Sequence, residues 1–250
     1  MNTEPRRLVR TAAALLIGNE LLSGKITEGN LFPLAKMLRA RGIQLVRVSM
    51  IADDRKQIAD ELTRLRTEVD LVITSGGIGP THDDVTIEAV ADSFGVPSAV
   101  HPTLAEILRG FYQERMTDDH LRMALVPAGA ELRSGKDAPW PNVVMGNVWL
   151  LPGIPELFRA RLAILQEHVQ GELEFHTRAL QLQIDEIELK PLLDQIVQAH
   201  PSVEIGSYPK WFDPTYKTKV TFDAHDSASV ELALAAFTGA LPAGSGFYLE

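Results

Sequence analysis

The chain has 250 residues, 45% of them hydrophobic, with a formal net charge of −9, enough for one sizeable core or two modest ones. It contains no cysteine, which excludes disulfides, thiolate metal sites and cysteine nucleophiles. The acidic balance disfavours nucleic acid as a partner, because proteins that track phosphate backbones present a basic face.

Arg6, Arg7 and Arg10 precede the apolar run Ala12 to Ile17, but Gly18-Asn19-Glu20 interrupts it too early for a signal peptide. Thr11 to Ile17 therefore reads as a buried strand and Gly18 to Gly29 as a long loop. Asn30 can cap a helix with Leu31, Leu34, Ala35 and Leu38 on one face, ended by Gly42. Leu45 to Ile51 is a second strand, and Asp53-Asp54 precedes a helix with Ile58, Leu62 and Leu65 at helical spacing. Leu71 to Thr74 is a third strand, followed by a glycine-rich turn and a helix over Ile87 to Phe94. This alternation predicts an α/β domain with a mostly parallel sheet, whose ligands sit at the carboxyl ends of the strands.

Further on, Thr103 to Met116 and Asp118 to Leu125 read as helices. Val143 to Met145 and Val148 to Leu151 flank Gly146-Asn147 as a hairpin, and PGIP at 152–155 turns the chain into a helix running to His168. That turn is placed to supply a fourth wall of a pocket. After Gly171 the pattern becomes βαββα, a small α+β domain. The expected division is 1–170 and 171–250. No run of eighteen apolar residues occurs, so the expectation is a cytoplasmic protein with no membrane partner.

The most informative segment is TSGGIGPTHDDVT, Thr74 to Thr86. Gly76, Gly77 and Gly79 permit positive φ and close backbone approach, and the helix beginning near Thr86 offers N–H groups to a phosphate. Thr74, Ser75 and Thr81 carry hydroxyls that either bond phosphate oxygens or satisfy the turn. Asp83 and Asp84 come next, where a cation or a proton transfer would be needed. Gly18, Asn19 and Glu20 end the first strand and face the same cleft, where Glu20 and Asp84 form the carboxylate-poor set that magnesium takes beside substrate phosphates. Asn30 and Asp53 each have two readings, as a helix cap or as a pocket residue. Arg122 is a candidate phosphate contact or a solvated helix residue.

Three motifs carry a family resemblance: IGNELLSG at 17–24, TSGGIGPTHDDVT and LPGIPELF at 151–158. They resemble the molybdopterin-binding (MoaB/Mog-like) fold family, in particular the N-terminal region of competence/damage-inducible CinA proteins and the molybdopterin-binding-like domain of FAD synthases. EIGSYPKWFDPTYKTKVTF at 204–222 resembles the segment C-terminal to that domain in both groups. The resemblance implies a three-layer α/β/α core over roughly 10–170 and a KH-like second domain. Asp53 and Asp84 correspond to aspartates that mark the active pocket. It further implies a hydrolase that cleaves the diphosphate of FAD, ADP-ribose or a similar dinucleotide with Mg²⁺, Mn²⁺ or Co²⁺. In that scheme Asp53 or Asp83 is the general base, Glu20 and Asp84 hold the metal, and the turn binds a small-molecule ligand.

The alternatives are a non-catalytic module binding molybdopterin or a nucleotide, and a molybdenum cofactor biosynthesis enzyme. Two stretches depart from the CinA pattern, Asp119 to Ala124 and Lys136 to Pro141, and draw the chain toward the FAD synthases. The second domain lacks the GXXG loop that clamps a nucleotide backbone and carries twelve acidic against five basic residues from Glu172 onward. RNA is therefore not an expected partner, and a homo-oligomer is.

Overall fold

In a computed structural model of the chain, the described residues are 6–136, 140–212, 214–242 and 244–249. Part of the Lys136 to Pro141 departure, 137–139, lies outside them, as does Asp213 of the 204–222 motif. The chain divides into two compact units, Met1–Glu172 and Leu173–Glu250.

The first unit runs β1 (Arg7–Leu8), β2 (Thr11–Ile17), α1 (Asn19–Leu22), α2 (Leu31–Ala40), β3 (Gln44–Ile51), α3 (Arg55–Glu68), β4 (Leu71–Ser75), α4 (Thr86–Phe94) and β5 (Ser98–Val100). It continues with α5 (Pro102–Tyr112), a 3₁₀ turn (Gln113–Arg115), α6 (Asp118–Arg122), β6 (Leu125–Pro127), β7 (Glu131–Arg133), β8 (Asn142–Met145), β9 (Val148–Leu151), α7 (Pro155–His168) and β10 (Val169–Gln170). The central sheet has the order β3-β2-β4-β9-β8-β7. Strands β3, β2, β4 and β9 are mutually parallel, and β8 and β7 extend the sheet antiparallel.

Strand alternation builds the three layers. Ala13, Leu15 and Ile17 of β2, Val72 of β4, and Val148 and Leu150 of β9 pack with Ile58, Leu62 and Leu65 of α3 and Ala89 and Val90 of α4. Their neighbours Ala12, Ala14, Leu71, Ile73, Trp149 and Leu151 face the other way, against Leu34 and Leu38 of α2 and Phe158, Leu162 and Leu165 of α7. A strand buried on both faces reads as an unbroken apolar run, which is why β2 and β4 were legible. The hairpin has Gly146 alone at positive φ, 61°, as in a turn with glycine at its first central position. Asn147 Nδ2 then donates to the carbonyls of Arg66 (3.0 Å) and Val69 (2.9 Å), tying the hairpin to the end of α3.

The second unit consists of β11 (His176–Leu182), α8 (Glu186–Ala199), β12 (Glu204–Pro209), β13 (Thr218–Ala224), α9 (Ser227–Gly239) and β14 (Phe247–Leu249). Its antiparallel sheet has the order β12-β13-β11-β14. Both helices pack on one face, around Phe222 and Phe237 with ring centroids 5.5 Å apart. The last strand is absent from the βαββα pattern, because three residues paired only with β11 carry no readable alternation.

Other differences are local. The first loop contains the short helix α1, and the region after α6 is strand β6 where helix was expected. Among the described residues no helix is long and apolar enough to cross a membrane.

At the opposite end of the sheet from the glycine turn, Asp70 accepts the backbone N–H groups of Arg10 (2.9 Å) and Thr11 (3.0 Å). These bonds hold its carboxyl below the ordinary carboxylate range, helped by the Thr11 hydroxyl and opposed by partial burial. A depressed folded-state pKa contributes stability that is complete above the unfolded value of about 3.9 and is lost as pH falls through the folded value. Urea melts at stepped pH should therefore show wild type more stable than Asp70→Asn at pH 6, with the gap closing below about pH 4. A gap independent of pH would remove the ionised carboxylate from the account.

Candidate active site

Four strand ends meet at the carboxyl edge of the first unit's sheet: Gly18 after β2, Ala52-Asp53 after β3, Gly76 after β4, and Pro152-Gly153 after β9. Backbone bonds hold them in line, with Gly18 N–H on the Ile51 carbonyl (3.1 Å) and Gly76 N–H on the Leu151 carbonyl (3.1 Å).

The glycine turn is shaped from within. Gly76 has φ 109°, and a Cβ there would stand 2.2 Å from the Ile17 carbonyl oxygen. Gly77 has φ 67°, and its Cβ would stand 2.3 Å from Thr86 Oγ1. A Cβ on Gly79 would stand 2.6 Å from an Asp84 carboxylate oxygen. The space these glycines leave is filled by the protein's own Ile17, Thr86 and Asp84, and Gly79, expected at positive φ like the other two, is not. Buried Thr86 donates its hydroxyl to the Gly76 carbonyl (3.0 Å), and its N–H bonds the Gly77 carbonyl (2.9 Å). Asp84 accepts both the N–H (2.8 Å) and the hydroxyl (2.5 Å) of Thr81. No side chain caps α4, so its first-turn N–H groups lack a side-chain acceptor.

Asn30 does not cap α2. It sits at φ −96°, ψ −26°, already helical, whereas a capping residue is extended. Glu28 accepts the N–H groups of Asn30 (2.6 Å) and Leu31 (3.0 Å) in its place. The Asn30 side chain turns inward, 5% exposed, and its Nδ2 donates to Ser75 Oγ (3.0 Å) and to the Gly153 carbonyl (2.7 Å). Because a carbonyl only accepts, the Gly153 bond sets the amide's orientation. Asn30 Oδ1 is then a buried acceptor with no partner, and Thr74 Oγ1 is a second buried polar atom in the same condition.

The two adjacent aspartates after β3 divide their roles. Asp54 caps α3 through the Gln57 N–H (2.8 Å), which leaves Asp53 to accept the Asn19 N–H (2.7 Å) across the cleft. The Glu20 carboxylate folds back over Gly18, 2.4 Å from where a Cβ would stand.

Among the described residues no group of three or more His, Asp or Glu is gathered to hold a cation. The turn from Ser75 to Thr86 contains no lysine or arginine. Arg122 lies exposed at the end of α6, and among the described residues it makes no hydrogen bond or ion pair with the turn. Glu28 was missed as a site-building group; the proline-glycine turn was expected as a pocket wall, and its Gly153 carbonyl is the group that meets Asn30.

The family model described as a probable molybdopterin binding domain matches residues 13–173, and one described as the FAD synthase middle domain matches 174–250. A protein of Archaeoglobus fulgidus is 33% identical, with 88% of this chain and 93% of that protein covered. A probable FAD synthase of Caenorhabditis elegans is 31% identical over 89% of this chain, which spans 48% of that longer relative. The structure of the protein CinA from Thermoplasma acidophilum aligns with TM-score 0.55 and 28% identity, covering 61% of this chain and 93% of that one. With a sheet of this order, a turn of this shape and a match across most of its length, the chain belongs to the molybdopterin-binding domain family and has CinA and FAD synthase relatives.

Proposed function

We propose that this protein is a metal-dependent nucleotide pyrophosphatase that hydrolyses the diphosphate of FAD, ADP-ribose or a similar dinucleotide. The observation that carries the reading is a glycine turn accompanied by Glu20, Asp53, Asp83 and Asp84 but containing no lysine or arginine. A diphosphate entering such a site meets backbone N–H groups of the turn and the uncapped start of α4. Its remaining charge calls for a divalent cation, and a pair of carboxylates with substrate phosphates is a donor set that magnesium accepts.

In this reading each acidic residue takes one role. Asp84, oriented by Thr81, and Glu20, lying against Gly18, are the residues that would hold Mg²⁺, Mn²⁺ or Co²⁺. When bound, the ion supplies charge neutralisation and polarises the phosphorus under attack. Asp53 has one oxygen committed to the Asn19 N–H, and its other oxygen is available to take a proton from the attacking water. Asp83, exposed beside Asp84 on the glycine turn, is the second candidate for that role.

A second reading draws on the orphaned acceptor of Asn30. A buried acceptor without a partner costs about 1–3 kcal/mol, and a ligand N–H or O–H would relieve it. Diphosphate oxygens only accept, so the donor must come from another part of the ligand, such as a ribose hydroxyl or a pterin amide. The pterin case favours binding of molybdopterin without turnover, or a step in molybdenum cofactor biosynthesis, and it agrees with the description of the matching family.

The direct test incubates the protein with FAD, ADP-ribose and CoA and each metal, with products read by mass spectrometry. Mononucleotide products are expected, and Asp84→Asn should lower their rate by roughly 10²-fold or more while the fold is kept. Saturable molybdopterin binding by calorimetry, with no hydrolysis under any metal, would instead establish the second reading. Asn30→Ala, which removes the bonds to Ser75 and Gly153, should destabilise the first unit by about 1–3 kcal/mol in urea melts and weaken ligand binding. A variant with unchanged stability and affinity would remove Asn30 from the site.

A further inference from the structure

Strand β12 is an edge of the second unit's sheet, and among the described residues nothing pairs its outer side. The Lys210 N–H bonds the Lys217 carbonyl at 2.7 Å, in register with the β12–β13 ladder. By the alternation of antiparallel pairing, Glu204, Gly206 and Tyr208 turn their backbone groups toward β13, whereas Ile205 and Ser207 turn theirs outward. Pro209 closes the run by offering no N–H.

Beside this edge lies a groove of about 400 Å³, bounded by Ile205 and Ser207 of β12 and by a stripe of α8 that includes Ile187, Lys190, Asp194 and Val197. The stripe extends from Glu186 to Val197, roughly 16 Å at helical rise, which about five extended residues would span. Ile187 is 77% exposed and Val197 45% exposed, and this is apolar surface on a helix whose inner face is already buried through Leu189, Leu193 and Ile196. A helix stripe over an open strand edge is the geometry in which an extended segment adds to a sheet.

We infer that the occupant is β12 of a second copy, paired antiparallel about a two-fold axis at Gly206 to join two four-stranded sheets into one. In that register Ile205 faces Ser207 of the second copy and Ser207 faces its Ile205. All four residues have outward N–H and C=O groups, so four backbone hydrogen bonds form. Gly206 meets Gly206 at the narrow, non-hydrogen-bonded position, where strands approach most closely. The side chains at 205 and 207 of the incoming strand enter the groove beneath α8.

The helix stripe is self-complementary as well. Lys190 and Asp194 pair with each other at 2.5 Å within one copy, and a stripe turned end for end sets carboxylate against ammonium. An isologous interface needs this property of a single surface. A long unpaired edge beside exposed apolar side chains is otherwise an aggregation hazard, and a closed two-fold contact removes it.

The test is sedimentation velocity of the full chain across concentration. Wild type should sediment as a dimer or an even-numbered oligomer. Ser207→Pro removes an outward N–H and leaves the β13 ladder intact, and Ile187→Lys charges an exposed position. Each should halve the mass or raise the dissociation constant at least tenfold, with circular dichroism unchanged. Lys190→Asp should weaken association, and Lys190→Asp with Asp194→Lys should restore it. A wild-type monomer at all concentrations, or an oligomer whose mass neither Ser207→Pro nor Ile187→Lys alters, overturns the inference.

Discussion

The chain reverses after β4 by bringing the Gly76 α-carbon against the Ile17 carbonyl, so close that a Cβ would stand 2.2 Å from its oxygen. This contact joins the end of β4 to the end of β2 and sets the direction in which the glycine turn leaves the sheet. Gly153, whose own Cβ would stand 3.3 Å from the Gly76 α-carbon, closes the other side. With backbone on both flanks there is no room for a side chain, and the edge of the site becomes a surface of peptide groups. A surface of that kind recognises anions through fixed N–H dipoles that lose no side-chain entropy on binding.

Asn30 converts this backbone arrangement into one rigid unit. Its amide bonds Ser75 and Gly153 together, and Glu28 takes over the capping of α2 so that the amide is available. Asp53 does the same on the opposite flank by reaching Asn19, while Asp54 caps α3. In both places two neighbouring polar residues separate structural duty from site duty. The acidic residues that remain around the turn give it an electrostatic character unlike that of a lysine-based phosphate loop.

The second unit has a different logic. Its core is built around Phe222 and Phe237, yet among the described residues nothing covers the β12 edge and the adjoining helix stripe. The apolar side chains on that stripe cannot be explained by the unit's own core, and the strand beside them has outward-facing backbone groups at Ile205 and Ser207. Both features find their partners if the surface is duplicated by symmetry.

Much of this molecule is set by local pattern. The apolar runs of β2 and β4 announce strands buried on both faces, the 58/62/65 spacing announces α3, and the glycines and aspartates of 74–86 announce a turn at a strand's carboxyl end. These are properties of short segments, determined by side-chain period and backbone freedom. What the sequence could not determine is which atom each polar side chain meets. Asn30 lies 45 positions from Ser75 and 123 from Gly153, and its role as a clamp exists only once four strand ends have been brought to one edge. The same holds for the glycines: the need for positive φ at Gly76 and Gly77 is local, but the atoms that meet the empty Cβ positions of Gly76, Gly77 and Gly79, from Ile17, Thr86 and Asp84, are decided by packing. Tertiary structure alone decided that Asn30 Oδ1 would be buried without a partner, because burial and hydrogen-bond partnership depend on the whole fold.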